Sequence, residues 1–532
     1  MTYEQPVDTT PRSGTSDDLR RDKTPVTLSN NRRLGVLSAI CLAVLVVGLD
    51  TTILNVALPT LAVELGASTE QLQWIANSYN LVLAALLLPA GLLGDRFGRK
   101  KMLLTALLLF GVGSVICALS NSANQLIAAR GFLGIGAALL VPIVMSLITV
   151  ISPSETARKK AINFFVVANS IGLPLGPIAG GLLLNHFSWA SIFWINVPVA
   201  VIAVVAVAFL VPESRSSAQP FIDYTGIVIS SAALAALVYG VTLAGERSWG
   251  DRWALTLIAA GVALLAVFAV AEGRFSRMGT PTPLVDLGLL RSQSFAWGTI
   301  LITVCMFAMF GLLFTMPQFF QAIQSADALE TGLKLLPFIG GMVVGAKVAT
   351  PLDAAAGTRI TVASGFIILA VGLAAGAMTD ADSGYGYVAV WIAITGAGAG
   401  FAMPAAMNAA LGQLDPDRAG AGSSLIQAMR QVGGTVGIAL LGTIVNAVYR
   451  NSVNTEGLPE PLADTARGNV VSGMAIADKI DSAPLAASVT NAFIDSISTM
   501  LWVCTVIAVV GSIASLTFLP KRVKAMNSPS PM

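Results

Sequence analysis

The stretch GLDTTILNVALP, residues 48–59, closes an apolar run that begins near Leu34 and contains no charge except Asp50. A run of that length predicts a helix that spans a bilayer. The carboxyl group of Asp50 must then lose its water, at a cost of about 2.5–3.5 kcal/mol on insertion scales. Because desolvation favours the protonated form, such a group can take up a proton on one side and release it on the other. The alternative is a buried Asp that only caps or tethers a neighbouring helix.

The composition excludes an ordinary soluble protein. Of the 532 residues, 55% are hydrophobic and only 11% are charged, whereas soluble domains carry about 25% charged residues. The four cysteines lie in apolar runs and predict small buried hydrophobes, not disulfides or a metal site. The single histidine, His186, leaves no basis for histidine-ligated metals or triads. We therefore expect no metal, no cofactor and no enzyme activity.

Fourteen apolar runs predict an all-α polytopic membrane protein. Residues 1–33 are rich in Thr, Ser, Pro, Asp and Arg, which predicts a disordered tail. Residues 520–532 form a second short tail. The apolar runs lie near residues 34–58, 72–94, 102–120, 125–150, 161–184, 189–211, 223–245, 253–271, 294–320, 331–352, 359–378, 385–411, 419–448 and 496–519.

The distribution of Lys and Arg predicts the orientation. Basic residues cluster before the first run, after each even-numbered run and after the last, while the short opposite connections carry none except Arg247 and Arg252 after the seventh run. By the positive-inside bias, we expect both termini to be cytoplasmic, and we expect the chain to lie in the plasma membrane. The long connection 449–495 is then extracellular, and its weakly amphipathic part after Leu462 could hold a short helix at the membrane surface.

An internal repeat predicts two similar bundles. The pattern Gly134-x-Gly136-x5-Pro142 in the fourth run recurs as Gly396-x-Gly398-x5-Pro404 in the twelfth. A duplicated six-helix unit places a binding site at the interface of its halves, near the bilayer midplane. The predicted parts are a first bundle over 34–211, two linker helices with a cytoplasmic connection over 212–293, and a second bundle over 294–519.

The turn after the second run reads GLLGDRFGRK, residues 91–100, and resembles the signature loop of the major facilitator superfamily. Glycines allow a tight turn and close helix approach. Such a loop can act as a cytoplasmic latch that releases when the two halves rock. The alternative is that the loop is only a topology signal, because the positive-inside bias by itself predicts basic residues at this position. The residues of this predicted latch are Gly91, Asp95, Arg96, Gly98 and Arg99.

Three further motifs follow in the expected order. Leu126-x3-Arg130-x2-Leu133-Gly134 resembles the superfamily's motif for the fourth span, with Leu133 where Gln is usual. Gly172-x3-Gly176-Pro177-x2-Gly180-Gly181 looks like the fifth-span signature of drug:proton antiporters. The stretch around Asp50, with Trp74, Tyr79 and Ile195-Asn196-Val197-Pro198, is similar to the 14-span group of those antiporters, except that Ala190 replaces an Arg.

The resemblance implies roles for several of these residues. Arg130 would take part in proton coupling with Asp50, although a structural tether to the first or second span is an equal alternative. The glycines and proline of the fifth span would control the seal between halves; generic close packing is the alternative. The residues of this antiporter motif are Gly172, Gly176, Pro177, Gly180 and Gly181.

Candidate substrate contacts combine adaptable apolar and polar groups. Methionines and aromatics in the ninth run suit varied apolar ligands, although such clusters commonly fill a core or face lipid. Arg430 lies beside Gln427, Gln431 and two glycines, which indicates a polar interface or a salt bridge within its half. The predicted substrate contacts are Asn55, Trp74, Tyr79, Asn169, Met309, Gln318, Gln427 and Arg430.

These patterns favour a proton-coupled secondary transporter that exports hydrophobic, cationic drugs or antibiotics by alternating access. Its partners would be a small-molecule substrate, protons and membrane lipid, with no nucleic acid, and the protein would be a monomer. No P-loop is present to indicate ATP drive. One alternative is a dedicated exporter of a single endogenous metabolite or lipid. The other is an intramembrane enzyme or receptor, for which paired carboxylates, a histidine cluster and an appended soluble domain are missing.

Overall fold

The computed structural model describes residues 30–151, 161, 175–214, 223–246, 250–277, 287–411 and 419–520. These residues form helices and, within the described ranges, no strand. In chain order, the helices are α1 Asn30–Glu64, α2 Thr69–Phe97, α3 Arg99–Ala118, α4 Ala123–Ile151, α5 visible over 175–186, α6 Ser191–Leu210, α7 Tyr224–Glu246, α8 Arg252–Arg277, α9 Gln293–Ile323, α10 Ala328–Ala356, α11 Thr358–Ala377, α12 Tyr385–Leu411, α13 Ala419–Ser452, α14 Glu460–Gly468, α15 Val470–Lys479 and α16 Ala483–Phe518.

Eleven helices of the described chain are long and apolar enough to cross a membrane, which confirms the all-helical membrane class. They are α1, α3, α4, α6, α8 to α13, and α16. The other three predicted runs coincide with α2, α5 and α7, so the count of fourteen spans stays a prediction. The predicted start of the last run, near residue 496, is wrong as a helix start. The helix α16 begins at Ala483 because Ser482 caps it and Pro484 stands in its first turn.

Buried hydrophobic side chains form two large clusters, one for each predicted bundle. One draws mainly on α1 to α4 and α6, and the other mainly on α9 to α13, α15 and α16. A third, small cluster of Leu243, Ala244 and Ala254 joins α7 to α8. Helix α7 also contacts both bundles, because it packs against α2 of the first and α13 of the second.

The repeated glycine pattern makes equivalent contacts in the two bundles. A Cβ on Gly134 would lie 2.7 Å from the carbonyl oxygen of Tyr79 in α2, and one on Gly136 would lie 2.6 Å from the backbone of Phe110 in α3. In the second bundle, Gly396 lies against Phe338 of α10, and Gly398 lies against the backbone of α11. The repeat thus packs the fourth helix of each unit against its second and third helices.

Direct hydrogen bonds between the bundles lie at one end of the molecule in the described ranges. Gln321 at the end of α9 donates to the carbonyl of Val56 at 3.0 Å. Thr69 donates to the carbonyl of Gly468 at 2.9 Å, and Asn469 donates to the carbonyl of Ala67 at 3.2 Å. The helices α14 and α15, within the connection 449–495, therefore hold the first bundle at the end where α1 meets α2.

Candidate functional site

A buried ion pair joins α1 to α4. Nη1 of Arg130 lies 2.7 Å from Oδ2 of Asp50, and neither side chain is more than 2% exposed. Nε of Arg130 donates to the carbonyl oxygen of Ile75 in α2 at 3.3 Å. The guanidinium therefore links three helices of the first bundle, and the carboxylate that the membrane would penalise has its counter-charge.

Asn196 completes the shell around the carboxylate. Its Nδ2 donates to Oδ1 of Asp50 at 3.0 Å and lies 3.4 Å from Oγ of Ser114, and all three side chains are buried. Because Oδ2 accepts from Arg130, both carboxylate oxygens have a donor. Sequence reasoning did not name Asn196 as a site residue. The signal was available, because an amide side chain within an apolar run must find a buried partner.

Aromatic rings cover the guanidinium. The carbon centre of the Arg130 guanidinium lies 4.4 Å from the ring centroid of Tyr79 and 6.0 Å from that of Phe193. Such cation–π contacts are strongest where water is excluded, and Tyr79 is fully buried. The ring of Tyr79 is therefore part of the buried surroundings of the cation.

A small cavity lies between this centre and the second bundle. Arg130 contributes to its wall, whereas Asp50 does not. Phe310 of α9 and Ile438 of α13 supply the wall from the second bundle. The complete lining is Thr51, Leu54, Asn55, Ala76, Tyr79, Asn80, Arg130, Phe310 and Ile438. A change in how Asp50 holds Arg130 would therefore act directly on the space between the bundles.

A larger, apolar cavity lies beside the first and shares Asn55 with it. It contains about 450 Å³ of space not filled by protein atoms, part of which is open to solvent. It is lined by Thr52, Asn55, Pro177, Met309, Leu313, Leu335, Phe338, Ile339 and Met342. Both bundles contribute, so its shape must change if the bundles move relative to each other.

The structure brings three predicted substrate contacts to these cavities and places others elsewhere. Asn55 lines both cavities, Tyr79 lines the smaller and Met309 the larger. Trp74 packs instead on Tyr239 of α7, with ring centroids 5.4 Å apart. Gln318 is buried and donates to a carbonyl one turn back in its own helix. Asn169 lies outside the described residues.

Arg430 is partly buried on α13 of the second bundle. Its Nη1 donates to Oε1 of Gln427 at 3.0 Å, which joins two of the predicted substrate contacts to each other. Its Nε is enclosed and has no hydrogen-bond partner among the described atoms. Within the described ranges, no carboxylate lies within ion-pair distance of Arg430.

The visible part of the antiporter motif lies between the bundles. A Cβ on Gly176 or Gly180 would come within 2.9 Å of Ile53 in α1. Gly181 abuts Leu329 of α10, and the carbonyl of Pro177 abuts Gly332 of the same helix. Close approach of the two bundles at this seam requires these small residues. Gly172 lies outside the described residues.

The predicted latch is tied to its own bundle. Gly98 separates α2 from α3 with φ of 108°, a conformation that favours glycine. Nε of Arg99 donates to Oγ of Ser146 in α4 at 2.6 Å, and Arg96 stacks near Phe97. Gly91 and Asp95 lie in the last turns of α2, and the side chain of Asp95 is outside the described set.

No group of three His, Cys, Asp or Glu side chains in the described ranges could hold a metal ion. The charged groups at the centre of the site are the carboxylate of Asp50 and the guanidinium of Arg130. The apolar cavity beside them is lined by residues of both bundles.

Comparisons with known proteins agree with this architecture. The Major Facilitator Superfamily profile matches residues 40–438. The chain is 33% identical to the tetracenomycin C resistance and export protein of Streptomyces glaucescens over 423 residues, which are 79% of this chain and 78% of that protein. It is 31% identical to the multidrug efflux pump LfrA of Mycolicibacterium smegmatis, across 89% of this chain and 92% of the pump.

Solved structures share the fold. A bacterial homolog of the human lysosomal transporter Spinster, in an inward-facing and unoccupied conformation, aligns with a TM-score of 0.66 and 18% sequence identity. The alignment covers 93% of this chain and 99% of that one. Together these findings identify a multi-pass membrane protein that is a transporter and not an enzyme. The chain therefore belongs to the Major Facilitator Superfamily.

Proposed function

We propose that this protein is a proton-coupled exporter of hydrophobic drugs or antibiotics that works by alternating access. The observation that carries the proposal is the buried Asp50–Arg130 pair, whose cation forms part of a cavity wall between the two bundles. The names of the relatives, which include an export protein and an efflux pump, support the direction and the class of cargo.

Coupling through Arg130 follows from the geometry of the pair. When Asp50 is ionised, it holds the guanidinium at 2.7 Å. A proton on Asp50 removes that attraction and leaves a free guanidinium at the wall shared by Tyr79 and Asn80. The released guanidinium and the cargo then compete for the same space, so proton uptake expels cargo. Each charge moved with the proton gradient supplies about 2.3 kcal/mol per 100 mV.

A cationic preference has less support than proton coupling. The residues that line the two cavities include Arg130 and no carboxylate. Asp50, the acid expected to meet a cationic cargo, is fully buried and already has Arg130 and Asn196 as partners. A cation would have to displace Arg130 to reach it. We therefore place Asp50 in proton coupling and leave cargo contact to the cavity walls.

The packing between the bundles fits the stage of the transport cycle in which the extracellular end is closed. The hydrogen bonds from Gln321, Thr69 and Asn469 hold the bundles together at the predicted extracellular end. A transporter closed at that end presents its cavities to the cytoplasm, where an exporter loads its cargo. The charge bias of the connections places both termini in the cytoplasm, and we propose the plasma membrane as the location.

The experiment is transport by full-length protein in vesicles with an imposed pH gradient. Tetracenomycin C, puromycin and methyl viologen, the compounds for which relatives are named, serve as the test cargoes. The variant Asp50→Asn keeps a polar group of the same size but cannot gain a proton. We expect it to bind cargo and exchange it across the membrane, and to lose accumulation driven by the gradient.

The control is Asp382→Asn, which changes an exposed carboxylate in the connection between α11 and α12. It should accumulate cargo at the wild-type rate. Gradient-driven accumulation by Asp50→Asn at the rate of this control would refute the coupling role of Asp50.

A dedicated exporter of one compound is the second candidate function. It is favoured by relatives whose names carry a single compound, such as the tetracenomycin C export protein and a probable actinorhodin transporter. Competition among the three test cargoes separates the two functions. Mutual competition by unrelated compounds supports a multidrug exporter, and transport of one compound without competition by the others supports the dedicated one.

A further inference from the structure

We infer that Arg430 forms a separate subsite that binds an anionic oxygen group of the cargo, such as a carboxylate or phenolate. The inference rests on the proposed function, because it names the class of cargo that the exporter accepts. It assigns the second bundle a charge-recognition role that is distinct from the proton-coupling role of the Asp50–Arg130 pair.

The position of Arg430 on α13 places it on the side that faces the central space. Ile438 lines the smaller cavity, and Gly434, one turn before it, abuts the ring of Phe310 from the same cavity wall. Residues spaced by four lie on one face of a helix. Arg430 is one further turn toward the predicted cytoplasmic end, about 12 Å along the axis from Ile438 at 1.5 Å per residue.

The charge of Arg430 has no counterpart in the described chain. Gln427 supplies one neutral acceptor at 3.0 Å, while the enclosed Nε has none. A cation inside the membrane region is costly unless it is paired, and ionisable residues within membrane spans mark substrate or ion pathways. We therefore expect the cargo to supply a partner for Arg430.

The shape of the guanidinium selects the ligand chemistry. Its planar fork of N–H donors matches the two oxygens of a carboxylate, and charge-assisted bonds of this kind are about twice as strong as neutral ones. Helix α13 packs closely on α9 beside Arg430, because a Cβ on Gly433 would come against the carbonyl of Thr303. Met309, further along α9, lines the apolar cavity. A cargo with an acidic group at Arg430 could thus extend its apolar part along α9 into that cavity.

The test measures equilibrium binding of a matched probe pair to the purified full-length protein in lipid nanodiscs, with no pH gradient. The probes are 1-pyrenebutyric acid and its methyl ester, which differ only in the anionic oxygen group. Energy transfer from the protein's tryptophans to pyrene reports binding. We expect the wild type to bind the acid about tenfold more tightly than the ester. In Arg430→Gln the two affinities should become equal, with ester binding unchanged.

The control is Lys347→Gln, which removes an exposed cation from α10 of the same bundle and should keep the tenfold preference. Equal binding of acid and ester by the wild type would overturn the inference. An equal loss of both probes in Arg430→Gln would also overturn it, because it would make Arg430 a structural residue.

If Arg430→Gln does not fold, Arg430→Lys replaces it. The point charge of Lys lacks the fork, so acid binding should weaken at least threefold while ester binding stays the same. Unchanged acid binding would overturn the inference. Since no gradient is present, these results do not depend on Asp50. Loss of coupling in Asp50→Asn and loss of acid preference in Arg430→Gln are therefore independent findings.

Discussion

The two bundles each place an arginine in the membrane region, and the two arginines have different surroundings. Arg130 has a carboxylate at 2.7 Å, a backbone acceptor and two aromatic rings. Arg430 has a single neutral acceptor from Gln427. Arg130 therefore has a counter-ion, whereas Arg430 has no carboxylate within ion-pair distance among the described residues.

Under the two proposals made above, this difference separates proton coupling from cargo recognition. A closed pair changes its net charge only when a proton arrives, so it suits coupling. A cation without a counter-ion attracts an anionic group at any proton concentration, so it suits cargo recognition. In these proposals, each bundle of the duplicated architecture supplies one charged group, Arg130 from the first and Arg430 from the second.

The largest effect is expected from variants that break the Asp50–Arg130 pair. Asp50→Leu and Arg130→Met should each lower the free energy of unfolding by about 3–5 kcal/mol, because each leaves a buried charge without its partner. The double variant should recover most of that loss. Arg430→Met should cost little, because no ion pair is broken.

Thermal unfolding can be followed with a dye that reacts with the buried thiols of Cys117, Cys305 and Cys504 as they become exposed. If the losses from Asp50→Leu and Arg130→Met simply add in the double variant, the two residues do not act as a pair. A loss in Arg430→Met as large as that in Asp50→Leu would remove the contrast between the two arginines.

A smaller effect is expected at Asn196, which donates a hydrogen bond to the carboxylate of the pair. Asn196→Leu keeps the size of the side chain and removes the donor to Oδ1 of Asp50. The expected loss is about 1–3 kcal/mol of unfolding free energy, the cost of leaving a buried acceptor unsatisfied. The same thermal assay measures it, with Asn491→Leu on the exposed face of α16 as the control. Equal midpoints for the two variants would mean that Asn196 does not support the carboxylate.

The smallest effect is expected at Gln427, the hydrogen-bond partner of Arg430 in the second bundle. Gln427→Leu removes the one acceptor described for Arg430, and a single hydrogen bond contributes about 1 kcal/mol. We expect a change in unfolding free energy of no more than that amount, in the same assay. A loss of several kcal/mol would show that Gln427 and Arg430 form a structural unit, and it would weaken the contrast with Arg130.

Much of the fold could be predicted from local pattern. The apolar runs predicted the membrane class, and the glycine repeat predicted equivalent fourth helices, because both depend on residues close together in the chain. The helix start at Ala483 was missed for the opposite reason. Residues 483–495 mix apolar side chains with Ser488, Thr490, Asn491 and Asp495, and their helix is stabilised by the Ser482 cap and by packing of α15 on α16.

The candidate site was predictable only in part. Asp50 and Arg130 stood out because a charge in an apolar run is costly wherever the helix lies. Their pairing joins residues 80 positions apart, and the bond from Asn196 to Asp50 spans 146 positions. Trp74 resembled a cargo contact in the sequence, yet the structure turns it toward Tyr239 of α7.

By itself, the sequence determined which segments leave water and which polar groups must find partners there, because the cost of transfer into a membrane belongs to each residue. Only the tertiary structure decided which residues become the partners of those polar groups. The rotation and approach of the helices bring Asp50, Arg130 and Asn196 together, put Asn55 into both cavities and leave Arg430 beside a neutral amide. Those distances depend on how whole helices pack, which no local pattern of residues encodes.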